Sequence, residues 1–182
     1  VVVVSENRPE WVIADLAIIS LGGITVPAYT TNTTDDHLYI LDHSEAKIAI
    51  VSVDKLAVRL MNAMSKSASC KTIISIEELS SDVDPSLKHL DWSSLLAPRD
   101  KLSTDVLKEA VNLKRNDIAC FIYTSGTGGN PKGVMLTHGS ILANCSSAYD
   151  LLTEFGLGDE IFLSLLPLSH SYEHTCGLYF PI

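Results

Sequence analysis

Cysteine and positive charge are both scarce in this chain. Its four cysteines, Cys70, Cys120, Cys145 and Cys176, form no CxxC pair. That spacing argues against a disulfide framework, and Cys120, inside an apolar run, reads as a small hydrophobe. Only 13 Lys and Arg stand against 22 Asp and Glu, a net charge of -9. Nucleic acid and anionic surfaces are poor partners for such a chain, so any bound anion must be held by local backbone N–H groups and a placed lysine. A secretory leader is expected to be absent, because "VVVVSENRPEW" has no basic start and no cleavage pattern. A membrane span is not expected either. The long apolar stretch "WVIADLAIISLGGITVPAY" contains Asp15, breaks at Gly22 and Gly23, and meets Pro27. It reads as a buried helix followed by a buried strand. There is no internal repeat and no low-complexity tract.

What is present is apolar and regularly patterned. Hydrophobic residues make up 46% of the 182 positions and charged residues 19%. That suits one well-buried α/β core and not two comfortable domains. "VVVV" reads as a strand buried on both faces. A helix capped by Asn7 or Arg8, with Pro9 in its first turn, runs to about Leu21. "ITVPAY" is extended. Thr33 to Asp36 resembles a capping box for a second helix, "AKIAIVSV" is a strand, Asp54 caps a third helix, and "KTIISI" is a further strand. This alternation predicts a largely parallel sheet with helical crossovers.

The texture divides the chain into residues 1–76, an acidic, Ser-rich surface excursion or linker over 77–116 with short helical pieces at most, and 117–182. In the last part "IACFIYTS" is a strand and "GVMLTH" is extended. A helix starts at Ser140, "DEIFLSLLPL" is a strand, and "SHSYEHTCGLYFPI" opens another helix. His37, His43 and His89 are expected at the surface, with Trp11 and Trp92 as packing anchors. Val1 in place of a methionine and the apolar finish "GLYFPI" lead to the expectation of a fragment of a longer protein.

"YTSGTGGNPKG", residues 123–133, is the stretch with chemistry in it. It is not a Walker loop, because Pro131 precedes Lys132 and Gly133 follows it, and GxGxxG fails at Pro131 as well. Its glycines still allow close backbone approach with N–H groups turned inward. Thr124, Ser125 and Thr127 add hydroxyls, and Lys132 adds a cation. A plain turn between strands is the competing reading. A second competing reading concerns "HSYEH", residues 170–174. It matches an inverted zinc-protease motif, with His170 and His174 as ligands and Glu173 as base; otherwise His174 and Glu173 form a solvated helix start.

The run "YTSGTGGNPKGVMLTH" resembles the signature loop of the adenylate-forming, acyl-activating enzymes, approximately [YF]-T-S-G-T-T-G-x-P-K-G-V. Every specified position agrees except Gly128, where the family carries a second threonine. "LSLLPLSHSYEH" resembles that family's next motif. The stretch from "VSENRPEW" to "AKIAIV" looks like the N-terminal region of its long-chain fatty acid–CoA ligase branch. The resemblance implies an incomplete N-terminal AMP-binding domain over 1–182. It also implies ATP, Mg2+ and coenzyme A, with a fatty acid as the acid. Thr124, Ser125, Gly126, Thr127, Gly128, Gly129 and Lys132 would hold the nucleotide, with the Thr124 hydroxyl near Mg2+. Lys132 and His170 would serve the reaction, His170 beside the adenylate. A cytoplasmic location is implied, with peripheral membrane contact left open for the parent protein. The remaining parts of the machinery are expected beyond Ile182, so the isolated chain is expected to be inactive. Other adenylate-forming ligases, for aryl or amino acids, and a truncated non-catalytic nucleotide-binding module remain alternatives.

Overall fold

The computed structural model describes residues 1–96, 108, 110–124, 130–156 and 160–182. The first half is β1 (Val2–Val4), α1 (Pro9–Ser20), β2 (Val26–Ala28), α2 (Thr34–His43), β3 (Ile48–Val51), α3 (Asp54–Lys66), β4 (Thr72–Ser75), β5 (Lys88–Asp91) and the short α4 (Trp92–Leu95). Its five strands form one all-parallel sheet in the order β2-β1-β3-β4-β5. Strand side chains alternate between faces. Val2, Val4, Ala49, Val51 and Ile73 therefore pack under α2 and α3 with Ile40, Leu41, Leu60 and Met64. Val3, Ile50 and Ile74 pack on the other face against Trp11, Ala14 and Ile18 of α1. A doubly covered sheet explains why β1 consists of valine alone: neither face sees water.

Local signals set most helix ends. α1 begins with Arg8 in an extended conformation and Pro9 at its first position, but neither Asn7 nor Arg8 caps it with a side chain. It stops at Leu21, and Gly22 follows with φ +69, a left-handed turn that glycine adopts without strain. α2 carries the expected capping box between Thr33 and Asp36. The expected Asp54 cap is not one. Val53 holds the cap position, and the Asp54 carboxylate accepts the N–H and O–H groups of Ser80 and Ser81 at 2.8–3.1 Å. It ties down the chain that leads to β5.

β5 is itself a correction. The stretch 77–101 contains a strand hydrogen-bonded in parallel to β4, as well as a short helix. "KHLD" hides its strand character because three of its four residues are polar or charged, as edge strands often are. Trp11 is fully buried, as a packing anchor should be. His37, expected at the surface, is only 1% exposed, and burial with nearby Arg59 lowers its pKa to about 4.

Beyond residue 117, β6 (Ile118–Thr124) and β7 (Lys132–Thr137) form an antiparallel hairpin. β6 is joined to the large sheet through a parallel bridge between Cys120 and Thr25, just ahead of β2. α5 (His138–Thr153) follows. Thr137 caps it and Ser140 returns the second bond of the capping box, so the helix starts slightly before the expected Ser140. The strand expected over "DEIFLSLLPL" is absent from its described residues. Ile161, Leu163 and Leu165 are 97%, 81% and 76% exposed, and among the described residues no strand pairs with them. An apolar run without a ladder partner stays irregular. The last element, α6 (Glu173–Tyr179), is a π-helix lying on the α1 side of the sheet, where Leu178 joins Trp11 and Ile18. Among the described residues no helix is long and apolar enough to cross a membrane.

Candidate functional site

The hairpin brings the two ends of the glycine run together. Thr124, the last residue of β6, lies directly across from Lys132, the first of β7, and both are exposed. A hydroxyl-bearing and an ammonium-bearing residue thus stand across from each other at the mouth of the loop. Ser125, Gly126, Thr127, Gly128 and Gly129 fall outside the described residues.

The foot of the loop is braced from the first half of the chain. Tyr123 is buried, and its hydroxyl is 2.7 Å from Nδ1 of His43. The Tyr39 ring stacks on His43 and meets Tyr123 edge-on, and its hydroxyl donates to the Pro131 carbonyl at 3.0 Å. Burial, with Tyr39 adding to it, pushes the Tyr123 phenol up to about 12, so it remains a neutral hydrogen-bonding group. Gly133 lies opposite Tyr123. A Cβ there would come within 3.2 Å of the ring, so glycine is what allows the close approach. His43 is therefore exposed, as expected, but it is also part of the brace. The sequence marked Tyr123 only through the loop motif and gave no sign of Tyr39 or His43, which come from α2.

His170 reaches the same edge of the sheet by another route. β6 runs parallel to β2, so Thr124 emerges where the carboxyl ends of β1 and β2 also lie. At that edge Ser5, Asn7, Thr30, Leu166, Pro167 and Ser169 line an open cavity of about 350 Å3. Ligand sites in open α/β sheets occupy this end of the strands. His170 follows directly. Its side chain is exposed, and its Nδ1 accepts the Tyr172 N–H at 3.2 Å. Among the described residues no hydrogen bond joins it to Thr124 or Lys132.

The zinc-type reading of "HSYEH" does not fit the side-chain directions. His170 points to solvent, whereas His174 is 1% exposed and turned inward. His174 Nε2 is 3.1 Å from Asp15 Oδ2, its Nδ1 is 3.8 Å from Cys120 Sγ, and its ring meets Trp11 edge-on. Tyr179 donates to the same Asp15 oxygen at 2.5 Å. Glu173 is buried too, so the solvated helix start is corrected for both residues. Cys120 is fully buried, and its thiol is pushed up to about 12 by burial, with Asp15 adding to the effect. It has no nucleophilic character at neutral pH. Asp15 sits four residues after Trp11 on the otherwise apolar buried face of α1, and that position was the sequence's only hint of this cluster.

Magnesium has a narrow fit here. Among the described residues no group of three or more His, Cys, Asp or Glu could hold a metal ion. Among the described residues of the glycine run, the Thr124 hydroxyl suits a magnesium ion that keeps its waters and arrives on phosphates, the usual arrangement for this cation.

Comparison with known proteins assigns the chain to a family. The model of the AMP-binding enzyme family matches residues 1–182, and the chain belongs to that family. It is 29% identical over 174 residues to long-chain-fatty-acid–CoA ligase 5 of Mus musculus, covering 93% of this chain and 26% of that protein. It is 32% identical over 175 residues to the peroxisomal long chain acyl-CoA synthetase 6 of Arabidopsis thaliana, covering 93% and 24%. The chain thus spans about a quarter of the length of these curated relatives. In fold it resembles the red-emitting luciferase of Phrixothrix hirtus, with a TM-score of 0.75 at 21% identity, over all of this chain and 34% of that one. It also resembles VinN, with a TM-score of 0.65 at 18% identity, over 97% and 40%.

Proposed function

We propose that this chain is the phosphate-handling segment of an AMP-forming long-chain fatty acid–CoA ligase. The observation that carries the reading is the braced hairpin, which sets Thr124 directly across from Lys132 at the ends of a signature glycine run. The names of the curated relatives support the choice of acid and thiol.

On this reading a fatty carboxylate oxygen attacks the α-phosphorus of ATP. The bond to the bridging oxygen breaks, and pyrophosphate leaves. The thiolate of coenzyme A then attacks the acyl carbon and displaces AMP. The first step needs the β- and γ-phosphates held still and their charge balanced. Lys132 and the N–H groups of Ser125, Gly126, Thr127, Gly128 and Gly129 take that role, with the Thr124 hydroxyl directed to Mg2+. His170 holds the acid end of the substrate at the carboxyl edge of the sheet. Gly128 removes one hydroxyl from the family pattern and lowers the chain's grip on ATP. The apolar side chains left open at Ile161, Leu163 and Leu165 suit coverage by the further chain that the relatives possess. Nucleic acid is not a partner. A cytoplasmic location with peripheral membrane contact is part of the proposal, and fractionation of cells expressing the full-length protein tests it.

ATP–pyrophosphate exchange by the full-length protein, run against a panel of carboxylic acids, tests the function. Exchange that depends on long-chain acids supports it. Exchange only with aryl or amino acids moves the chain to another ligase class. No exchange with any acid favours a non-catalytic nucleotide-binding module.

A further inference from the structure

The segment that carries His170 is fastened at both ends to one short stretch of chain, β1–α1. Before His170, the Asn7 amide turns all of its bonding toward it. Asn7 Nδ2 donates to Ser164 Oγ at 2.9 Å and to the Leu166 carbonyl at 2.8 Å, and Asn7 Oδ1 accepts the Leu168 N–H at 2.9 Å. After His170, Asp15 holds His174 and Tyr179 through one carboxylate oxygen. Between these two anchors the backbone turns tightly, with the His170 N–H donating to Pro167 and the His174 N–H donating to His170.

No regular element explains this arrangement. Residues 160–169 have no ladder partner among the described residues, and the following helix is π-type, a rare form that occurs often at functional sites. Asn7 does not cap α1, although it stands just ahead of it. Asp15 costs the apolar face of α1 a buried carboxylate. Both residues are used for one purpose, to fix the path of chain on either side of an exposed histidine.

We propose that Asn7 and Asp15 are positioning residues for His170, a two-point clamp that sets the imidazole at the carboxyl edge of the sheet. The proposal rests on the role given to His170 above. A shift of about 1 Å in a substrate-positioning group costs up to roughly 100-fold in rate. Loss of the Asn7 anchor therefore lowers kcat for adenylation by about 10- to 100-fold while the KM for ATP is unchanged.

The test is a double-mutant cycle in the full-length protein, read by acid-dependent pyrophosphate exchange. Asn7→Ala is expected to lower kcat in the wild-type background and to have almost no further effect in His170→Ala. Asn7→Asp, which keeps the acceptor for Leu168 but loses both donors, is expected to fall between wild type and Asn7→Ala. Equal losses from Asn7→Ala with and without His170 would mean that Asn7 acts on the fold alone, and would overturn the proposal. Asp15→Asn repeats the cycle for the second anchor, and Asn7 decides the matter if that variant fails to fold. A separate readout needs no activity. In Asn7→Ala, amide hydrogen exchange should speed up at Leu168 and His170 with the sheet still protected, and unchanged protection there overturns the clamp. If the wild-type protein proves inert toward every acid, the ligase reading fails and the exchange pattern alone decides whether the anchor exists.

Discussion

The two helices α3 and α5 are built from similar material and end in opposite situations. α3 buries Leu56, Ala57, Leu60, Met61, Ala63 and Met64 against the sheet. α5 is longer, yet buries only Ile141, and leaves Leu142, Tyr149 and Leu151 more than half exposed. The same contrast separates β1, with no exposed residue, from β7, where Val134 and Met135 face outward. Residues 1–91 form a frame that closes on itself. Residues 118–182 pack on that frame through Tyr123, Leu168 and Leu178, and are tied to it by the Thr25–Cys120 bridge, the Tyr39–Tyr123 brace and the Asn7 and Asp15 anchors. The candidate site lies on the lightly packed side. On the proposed reading, the closely packed half would position the site and the open half would meet the ligand.

The contrast is tested most sharply by paired truncations. Leu60→Ala, at a fully buried position, is expected to destabilise the chain by about 2–5 kcal/mol through lost transfer energy and a cavity. Leu151→Ala, at a 59% exposed position, is expected to change stability by no more than about 0.5 kcal/mol. Urea melts of both variants decide. Equal losses would mean that α5 belongs to the frame.

The frame should also carry a pH signature. His37 is buried neutral, with its pKa lowered from 6.5 to about 4. The unfolded chain takes up a proton below about 6.5 and the folded chain does not, so stability falls as pH drops from 6.5 toward 4 and rises again in the reverse direction. The loss from this group is on the order of 3 kcal/mol at pH 4. His37→Gln should flatten that part of the curve in urea melts at pH 4, 5 and 7. An unchanged slope would assign the acid sensitivity to other groups.

On the open half the effect should fall on activity and spare stability. Lys132 is exposed, so Lys132→Ala should leave the melting temperature in place. If Lys132 meets a phosphate, the lost charge-assisted hydrogen bond costs about 1.5–3 kcal/mol, roughly 10- to 150-fold in kcat/KM for ATP. Pyrophosphate exchange with varied ATP measures it, and an unaltered ratio would reduce Lys132 to a surface residue.

The smallest expected effect lies at the joint between the halves. Tyr123→Phe removes only the hydroxyl that meets His43, a net loss of about 0.5–1.5 kcal/mol. A modest drop in melting temperature together with a raised KM for ATP would place the brace in both frame and site. A drop in stability with KM unchanged would leave it to the frame alone.

Much of the frame was readable in advance because its signals are local. Continuous β-branched runs, the Thr33–Asp36 box and Gly22 all act within a few residues. β5 escaped because its four residues, Lys88–Asp91, include a single apolar side chain, as a polar edge strand can. The Asp54 cap failed because Ser80 and Ser81, distant in sequence, took its carboxylate. The segment over 160–169 read as a strand because apolarity is local and pairing is not. His37 and His174 read as polar surface, since a single sequence cannot show which histidine another element will cover.

The amino-acid sequence by itself determined the alternating α/β order, the parallel sheet and the glycine run that marks the family, because periodicity, capping and a short motif are properties of neighbours along the chain. Only the tertiary structure decided that Thr124 faces Lys132, that α2 braces the loop, that His174 turns inward to Asp15 while His170 remains exposed, and that Asn7 serves residues 164–168 and not its own helix. Each of those outcomes depends on which distant groups the fold brings within reach of one another, and that is settled by packing in three dimensions.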